Sequence, residues 1–367
     1  MKIGLINNLY KPYQKGGAER VVELLNNELQ ELGHTVFVIS TRPKLKKDQE
    51  EPNVYYLNSI YSELNSLSYF TKLLWQTYNL VNLKKYFQIL KILKKEQPDL
   101  VISHNLMGLG LLTPLAIKNS QARHLQVLHD IQLLHPSGLM YFGQEKIIDS
   151  LFAKIYQGLT NLLFSLGNSN LIVISPSKWL INLHTAHGLF KNNKKAVISN
   201  PLPETNIINT HHKDSKNFIF IGQLEYHKGL DLFISASTRF TDYNFLVIGD
   251  GSLKNTLTET NNLKILGHKT SEEINKLLEE GLAIILPSRC YENSPTVIYE
   301  ATAAGAPVIA ANLGGIPELI ERFGGLLFEP DNLDSLIMTI TEFLEKGINL
   351  KSLPDSENYA KKILAEL

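Results

Sequence analysis

The chain has 367 residues, 44% of them hydrophobic, and its 36 Lys and Arg residues balance 36 Asp and Glu residues. This length and apolar content exceed the size of one ordinary domain, so two domains are expected. A single cysteine, Cys290, excludes an internal disulfide and a multi-cysteine zinc site, and it suits a reducing cytoplasm.

Short apolar segments alternate with helix-length stretches along the whole chain. The predicted strands are residues 2–6, 35–40, 99–104, 124–130, 171–175, 196–200, 218–222, 244–249, 263–267, 282–288 and 307–311. Strands that are buried on both faces and joined by helices indicate parallel sheets built from β-α-β units. The polar residues 200–217 interrupt the series, so the sequence predicts two such sheets with a linker between them.

Charge is divided unequally along the chain. Residues 1–200 contain 22 Lys and Arg against 13 Asp and Glu, a net charge of +9, and the remainder contains 14 against 23, a net charge of −9. Much of the excess lies in residues 42–47 and 84–97, and the second segment has an apolar helical stripe. It is either a solvated surface helix or a contact for an anionic acceptor or membrane. No signal peptide or membrane-spanning run is visible, so a cytoplasmic location is expected.

Several candidate ligand contacts follow predicted strands of the first half. Gly16 and Gly17 follow the first strand, His104 ends the third, and His129 and Asp130 end the fourth. Ligands of open parallel sheets bind at the carboxyl ends of the strands. Consecutive glycines let the backbone approach a ligand closely, and a helix start offers N–H groups to an anion. Each signal is weak alone, because glycine turns occur in most α/β proteins.

The second half has a lysine and two glutamates at similar places. Lys228 opens a helix shortly after a predicted strand, where an ammonium group neutralises a diphosphate. Glu292 and Glu300 bracket the stretch ENSPTVIYE, in which Ser294 and Pro295 predict a capped helix start. A continuous helix would separate the two carboxylates by roughly 12 Å of rise. Since glycoside hydrolases hold their acid pair about 5 to 9.5 Å apart, this argues for a nucleotide sugar beside a helix N-terminus instead.

These segments together resemble the retaining GT-B glycosyltransferases of family 4, the glycosyl transferases group 1. The most specific match is LPSRCYENSPTVIYEATAAGAPVIAANLGGIPELI, which carries the E-x7-E motif of the family, followed by GGLLFEP. FIFIGQLEYHKGLDLF, NFLVIGDG and LKILGHKTSEEI resemble further motifs of the second domain, and KGGAERVV, VISH and VLHDIQLLHPSG resemble motifs of the first.

The resemblance implies an α/β fold of the GT-B type, with two Rossmann-like parallel-sheet domains facing a central cleft. It implies an acceptor-binding domain at residues 1–203 and a nucleotide-sugar-binding domain at residues 217–350. A last helix, residues 356–367, would pack back toward the first domain.

The resemblance also implies a role for each matched residue. Lys228 would hold the diphosphate, Glu300 would bind the donor ribose, and His129 would lie beside the reacting sugar. The catalytic residues would be His129, Lys228 and Glu292. The other donor contacts would be Gly16, Gly17, Gly222, Gln223, Gly249, Gly267, His268, Arg289, Asn293, Ser294, Pro295 and Thr296, and the acceptor contacts would be His104, Asp130 and His135.

The implied reaction is hexosyl transfer from a UDP- or GDP-linked sugar to a saccharide or lipid-linked acceptor, in surface polysaccharide or glycoconjugate synthesis. Front-face attack would retain the anomeric configuration, with the leaving diphosphate removing the acceptor proton. No D-x-D motif occurs, so neither a metal nor another cofactor is expected. The expected partners are the donor, the acceptor and the anionic inner face of the cell membrane, and no nucleic acid is expected.

One departure from the family pattern leaves alternatives open. Gln223 stands where the family usually has arginine, which removes a positive charge, and Arg289 is a candidate replacement. The chain is alternatively an inactive donor-binding subunit of a glycosyltransferase complex. A nicotinamide-dependent dehydrogenase is a further alternative, although no G-x-G-x-x-G motif is present.

Overall fold

The computed structural model describes residues 1–14, 16–43, 51–61, 64, 68–167, 170–201, 215–348, 350–351 and 358–367. The chain divides into two compact units. The first unit comprises Met1–Leu139, Lys146–Pro201 and Glu357–Leu367, and the second unit comprises Met140–Glu145 and Leu202–Ser356. Most of the predicted linker and of the basic segment at residues 42–47 lies outside the described residues.

The first unit is built on a seven-stranded parallel sheet with the order β3-β2-β1-β4-β5-β6-β7. Its strands are β1 (Lys2–Ile6), β2 (Thr35–Arg42), β3 (Val54–Asn58), β4 (Leu100–Ser103), β5 (Arg123–Val127), β6 (Ile172–Ser175) and β7 (Lys194–Val197). β3 was not predicted from the sequence. This edge strand buries only Leu57 fully, so its hydrophobic signal is weak.

Helices connect these strands in the first unit. They are α1 (Gly17–Glu31), α2 (Tyr69–Leu80), α3 (Leu83–Glu96), α4 (Thr113–Asn119), α5 (Leu151–Gly167) and α6 (Lys178–Ala186). The basic segment at residues 84–97 coincides with α3, whose apolar stripe buries Ile89 and Leu93. None of the helices formed by the described residues is both long enough and apolar enough to cross a membrane.

The second unit is built on a six-stranded parallel sheet with the order β10-β9-β8-β11-β12-β13. Its strands are β8 (Asn217–Ile221), β9 (Asn244–Ile248), β10 (Leu263–Gly267), β11 (Ala283–Leu286), β12 (Val308–Ala311) and β13 (Leu326–Phe328). Its helices are α7 (Leu230–Ser237), α8 (Ser271–Glu280), α9 (Thr296–Ala303), α10 (Ile316–Phe323) and α11 (Leu333–Lys346). The two predicted parallel sheets are confirmed, and β13, only three residues long, was missed.

The last helix, α12 (Tyr359–Ala365), belongs to the first unit. Tyr359 and Ile363 are buried in the same hydrophobic core as β1 and α1. The backbone N–H of Ala360 donates to Glu28 Oε2 of α1 at 2.7 Å. The chain therefore returns to the first unit after completing the second.

The strand order of each sheet reverses at one point. The reversal lies between β1 and β4 in the first unit and between β8 and β11 in the second. Loops leaving such neighbouring strands run in opposite directions and open a crevice at their carboxyl ends, which is where ligands of open α/β sheets bind. Residues that follow β8 and β11 therefore share one crevice.

Two glycines let the loops of the second unit approach each other closely. Gly229 has φ +67°, and a Cβ at this position would lie 1.8 Å from the carbonyl oxygen of Pro287, just after β11. Gly249 has φ +140°, and its Cβ would lie 1.9 Å from the carbonyl oxygen of Gly222, just after β8. A side chain at either position would push the loops at the crevice apart.

We predict that Gly229→Ala destabilises the second unit by about 3 kcal/mol or more, because it combines backbone strain with a clash against a backbone carbonyl. Gly347→Ala is the matched control. Its φ is +70°, but no atom lies within 4 Å of its Cβ position, so about 1 kcal/mol of strain is expected. Urea unfolding followed by circular dichroism measures both. Equal shifts of the two midpoints would contradict the packing argument.

Candidate active site

Lys228 and Glu292 meet at the strand-order reversal of the second unit. Lys228 lies in the loop after β8, Glu292 lies in the loop after β11, and the Lys228 Nζ donates to Glu292 Oε1 at 2.8 Å. Ser288 Oγ donates to the same carboxylate oxygen at 2.5 Å. The two charged side chains are largely buried, being 24% and 14% exposed. The site thus has one ammonium group held by one carboxylate.

Each member of this pair shifts the pKa of the other. Burial raises the pKa of Glu292, but the Lys228 charge and the hydrogen bonds from Lys228 and Ser288 outweigh it and hold the pKa below its ordinary value. Burial lowers the pKa of Lys228, and the Glu292 charge outweighs this, so that pKa is raised. Both groups are therefore ionised at neutral pH, and Glu292 has no proton to donate.

Helix α9 begins immediately after this pair without a side-chain cap. Pro295 is the residue before the first helical turn, with φ −63° and ψ 123°, and Thr296 is the first helical residue. The Ser294 hydroxyl lies 2.7 Å from the Tyr299 hydroxyl. The helix was predicted to begin at Pro295 with a Ser or Asn cap, and it begins one residue later, at Thr296. Pro295, the N-cap residue, supplies no side-chain cap to the first N–H groups of the helix.

The loop after β12 fixes the backbone of Glu292. Gly315 donates its N–H to the Glu292 carbonyl at 2.8 Å. Gly314 has φ +66°, and a Cβ there would lie 2.3 Å from that same carbonyl oxygen. Ser288, Gly314 and Gly315 were not predicted as site residues. The paired glycines just before a helix were a usable signal for the last two, whereas the Ser288 contact depends on tertiary structure.

The remaining predicted donor residues lie along the same edge of the sheet. Gly222, Gly249 and Gly267 follow or end β8, β9 and β10, and the Gln223 and His268 side chains beside them are exposed. Asn293 and Glu300 are buried, at 7% and 8% exposure, on either side of the α9 start. The sheet thus collects these residues at its carboxyl edge.

Arg289 does not supply the positive charge that Gln223 lacks. Its Nε donates to Asp331 Oδ1 at 2.6 Å and its Nη2 donates to Asp231 Oδ2 at 2.7 Å, while its Nη1 also donates to Asp231. The guanidinium stacks over the Tyr226 ring, 4.6 Å from the ring centroid. Two carboxylates neutralise this group, so the expectation that it replaces a phosphate-binding arginine was wrong.

The segment Met140–Glu145 belongs to the second unit and pairs with the loop that carries Glu292. The Phe142 N–H donates to the Arg289 carbonyl at 2.8 Å, and the Tyr291 N–H donates to the Met140 carbonyl at 2.8 Å. The Tyr291 hydroxyl donates to Glu145 Oε1 at 2.9 Å. Local sequence patterns carry no signal for this pairing, because about 150 residues separate the partners.

Two predicted acceptor residues, His104 and Asp130, and the predicted catalytic residue His129 lie at the ends of β4 and β5. His104 Nδ1 and His129 Nε2 are 2.8 Å apart, and their rings stack. Asp130 accepts hydrogen bonds from the Asn105 side chain at 3.1 Å and the Gln132 N–H at 2.7 Å. Asn105 was not predicted, although it directly follows the predicted strand end at His104.

Burial sets the protonation states in this group. It lowers the pKa of His129 to about 4 and that of His104 well below its ordinary value, where the neighbouring His129 adds to the effect. It also raises the pKa of Asp130 to about 7, although hydrogen bonds from Gln132 and Asn105 oppose the rise. Both histidines are therefore neutral at pH 7 and act as hydrogen-bonding groups.

Three further predicted residues of the first unit lie elsewhere in it. Gly16 precedes α1 and donates its N–H to Glu19 Oε2 at 2.8 Å, and Gly17 is the first residue of α1. His135 Nδ1 lies 2.8 Å from the Ser137 hydroxyl, and its ring packs edge-on against Phe152. Among the described residues, no three His, Cys, Asp or Glu side chains are grouped so that they would hold a metal ion.

Comparison with known proteins decides the family. A family model described as Glycosyltransferase Family 4 matches residues 15–205, and one described as Glycosyl transferases group 1 matches residues 203–363. The chain belongs to this glycosyltransferase family. The dehydrogenase alternative is therefore wrong, and the predicted enzyme class is confirmed.

Two relatives span most of this glycosyltransferase. An uncharacterized 42.6 kDa protein in the cps region of Klebsiella pneumoniae is 28% identical over 92% of this chain and 92% of its own length. The phosphatidylinositol N-acetylglucosaminyltransferase gpi3 subunit of Schizosaccharomyces pombe is 25% identical over 95% of this chain and 75% of its own length.

Solved structures agree with the fold of this glycosyltransferase. Anabaena HepE, solved in complex with UDP and glucose, superposes with a TM-score of 0.66 at 20% identity, over 94% of this chain and 90% of its own. Sucrose-phosphate synthase from Thermosynechococcus elongatus gives 0.68 at 16% identity, over 99% and 94%. With the two parallel-sheet units, these neighbours confirm the GT-B fold.

We predict that Lys228→Met lowers the stability of the second unit at pH 7 by about 1–3 kcal/mol, because it leaves Glu292 charged and largely buried. In the native protein the Glu292 pKa is lowered. The stability that ionised Glu292 contributes is therefore complete above about pH 4.5 and is lost as pH falls through the native pKa. In the variant, protonation removes the unpaired charge. The difference in unfolding free energy between the native protein and Lys228→Met should therefore shrink below about pH 4.5.

Urea unfolding of both proteins at pH 7 and about pH 4 measures this difference. Lys276→Met is the matched control, since Lys276 Nζ lies 4.0 Å from Glu280 and its side chain is 75% exposed. No measurable change is expected for it. A Lys228→Met deficit that is the same at both pH values would contradict the buried-pair argument.

Proposed function

We propose that this glycosyltransferase moves a sugar, with retention of configuration, from a UDP- or GDP-linked donor to a saccharide or lipid-linked acceptor in surface polysaccharide or glycoconjugate synthesis. The observation that carries the proposal is the ion pair of Lys228 and Glu292 beside the start of α9. An ammonium group and a helix N-terminus at one crevice suit a diphosphate.

Names of related proteins support the chemistry of both substrates. HepE was solved with UDP and glucose, the Klebsiella pneumoniae relative lies in the cps region, and the gpi3 relative is named as an N-acetylglucosaminyltransferase acting on phosphatidylinositol. A nucleotide sugar as donor and a saccharide or lipid-linked compound as acceptor are consistent with all three.

The proposed step breaks the bond between sugar C1 and the diphosphate oxygen and forms a bond from C1 to the acceptor oxygen. The acceptor proton passes to the departing diphosphate. Lys228 and the first N–H groups of α9 stabilise the charge that develops there. Glu292 holds the Lys228 ammonium in place, and its ionised state fits hydrogen bonds from sugar hydroxyls rather than acid catalysis.

Further residues take the roles that the resemblance implies. Glu300 binds the donor ribose, and backbone groups of residues 293–296 contact the sugar and the β-phosphate. In the first unit, His129 lies beside the reacting sugar as a neutral imidazole, and Asp130 orients its loop. His104, Asp130 and His135 contact the acceptor. We also propose that the reaction requires no metal or other cofactor and takes place at the cytoplasmic face of the membrane.

A panel of UDP- and GDP-sugars, tested with the purified chain and product analysis, identifies the donor. We predict that Lys228→Met lowers kcat/KM for that donor by about 10²–10³. It should also abolish the preference for UDP over UMP, or for GDP over GMP, because Lys228 contacts the second phosphate.

Lys276→Met should retain both transfer activity and the diphosphate preference. If Lys228→Met keeps the native preference, the assigned role of Lys228 is wrong. If the native chain binds the diphosphate but transfers no sugar to any acceptor tried, the inactive donor-binding subunit becomes the better account.

A further inference from the structure

The outer face of α5 carries an unbroken apolar row. Leu151, Ile155, Leu159, Leu162 and Leu166 are 76%, 57%, 38%, 52% and 49% exposed. Their spacing of three or four residues places them in line along one face of the helix. Scattered exposed leucines are ordinary, but a contiguous row of this length marks an interaction surface.

Polar side chains of α5 face inward and fix its rotation. Gln157 Nε2 donates to the carbonyls of Leu134 and Ile148 at 3.2 and 2.8 Å. The Tyr156 hydroxyl donates to the Gln132 carbonyl at 2.8 Å. Turning the helix to bury the leucines would break these buried hydrogen bonds. The apolar row is therefore held outward by the rest of the first unit.

Positive charge accompanies the row. Lys154, which is exposed, is the one charged residue of α5. Lys118 of α4 donates its Nζ to the Leu166 carbonyl at 2.7 Å, at the carboxyl end of the row. No carboxylate of α5 itself opposes an anionic partner.

Helix α3 extends this surface. Helix α4 packs against both α3 and α5, so the three helices form one layer. The exposed side of α3 carries Leu83 and Phe87, at 58% and 63% exposure. Its exposed lysines are Lys84, Lys91, Lys94 and Lys95. The layer thus presents large apolar side chains mixed with basic groups.

We infer that this face, the α5 row with the exposed side of α3, docks on an anionic lipid bilayer. The apolar side chains would enter the boundary between headgroups and acyl chains, and the lysines would meet lipid phosphates. A second copy of the chain fits less well, because a two-fold contact through this face would set the α3 lysines against themselves. Docking on the bilayer is independent of the proposed function. Only the idea that docking brings the enzyme to a lipid-linked acceptor rests on that function.

Vesicle flotation with the full chain tests the inference. The protein should float with vesicles in which roughly a third of the lipid is phosphatidylglycerol, and much less with phosphatidylcholine alone. Ile155→Gln/Leu162→Gln should weaken binding at least about tenfold, since both side chains are exposed and leave the membrane-facing row. Lys84→Gln/Lys91→Gln should weaken it several-fold at low salt, with the difference lost at about 0.5 M NaCl.

Val197→Gln/Met338→Gln is the matched control, because it changes two exposed apolar side chains outside the face, at 44% and 72% exposure. It should bind vesicles like the native chain. Absence of vesicle binding, or native binding by Ile155→Gln/Leu162→Gln, would overturn the inference. The face would instead be assigned to self-association if the native chain sediments as a dimer, does not bind vesicles, and becomes monomeric in Ile155→Gln/Leu162→Gln. Sugar transfer to a water-soluble acceptor, measured in parallel, tests the proposed function separately.

Discussion

The ion pair between Lys228 and Glu292 is the interaction on which the donor site of this glycosyltransferase depends. The two residues come from loops that follow β8 and β11, which leave the sheet in opposite directions at the strand-order reversal. Without the pair, a largely buried carboxylate would lack a counter-charge and a long lysine side chain would sample many rotamers. Together the two residues hold one ammonium group in a defined place at the crevice.

Glycines make this pairing sterically possible. Gly229 lets the Lys228 loop lie against Pro287, and Gly314 lets the loop after β12 lie against the Glu292 backbone. Ser288 then bonds the Glu292 carboxylate from its own loop. The site thus places the Lys228 ammonium beside a helix start, while Arg289 is held by Asp231 and Asp331.

Sequence patterns predicted the sheets well, because strands buried on both faces carry a strong continuous signal. They failed at β3, an edge strand with one fully buried residue, and at the three-residue β13. At the site they selected Lys228 and Glu292 but placed the start of α9 one residue early and did not show that Asp231 and Asp331 bind Arg289. The Arg289 ion pairs are tertiary contacts, which local patterns do not reveal. The apolar row of α5 was missed for a similar reason, because sequence alone does not tell which side of a mostly apolar helix faces inward.

A crystal structure with UDP or GDP tests the central claim most directly. The account predicts that the second phosphate lies within hydrogen-bonding distance of the Lys228 ammonium and of the first N–H groups of α9, with the ribose at Glu300. A well-ordered nucleotide whose diphosphate lies away from both Lys228 and Pro295 would contradict it.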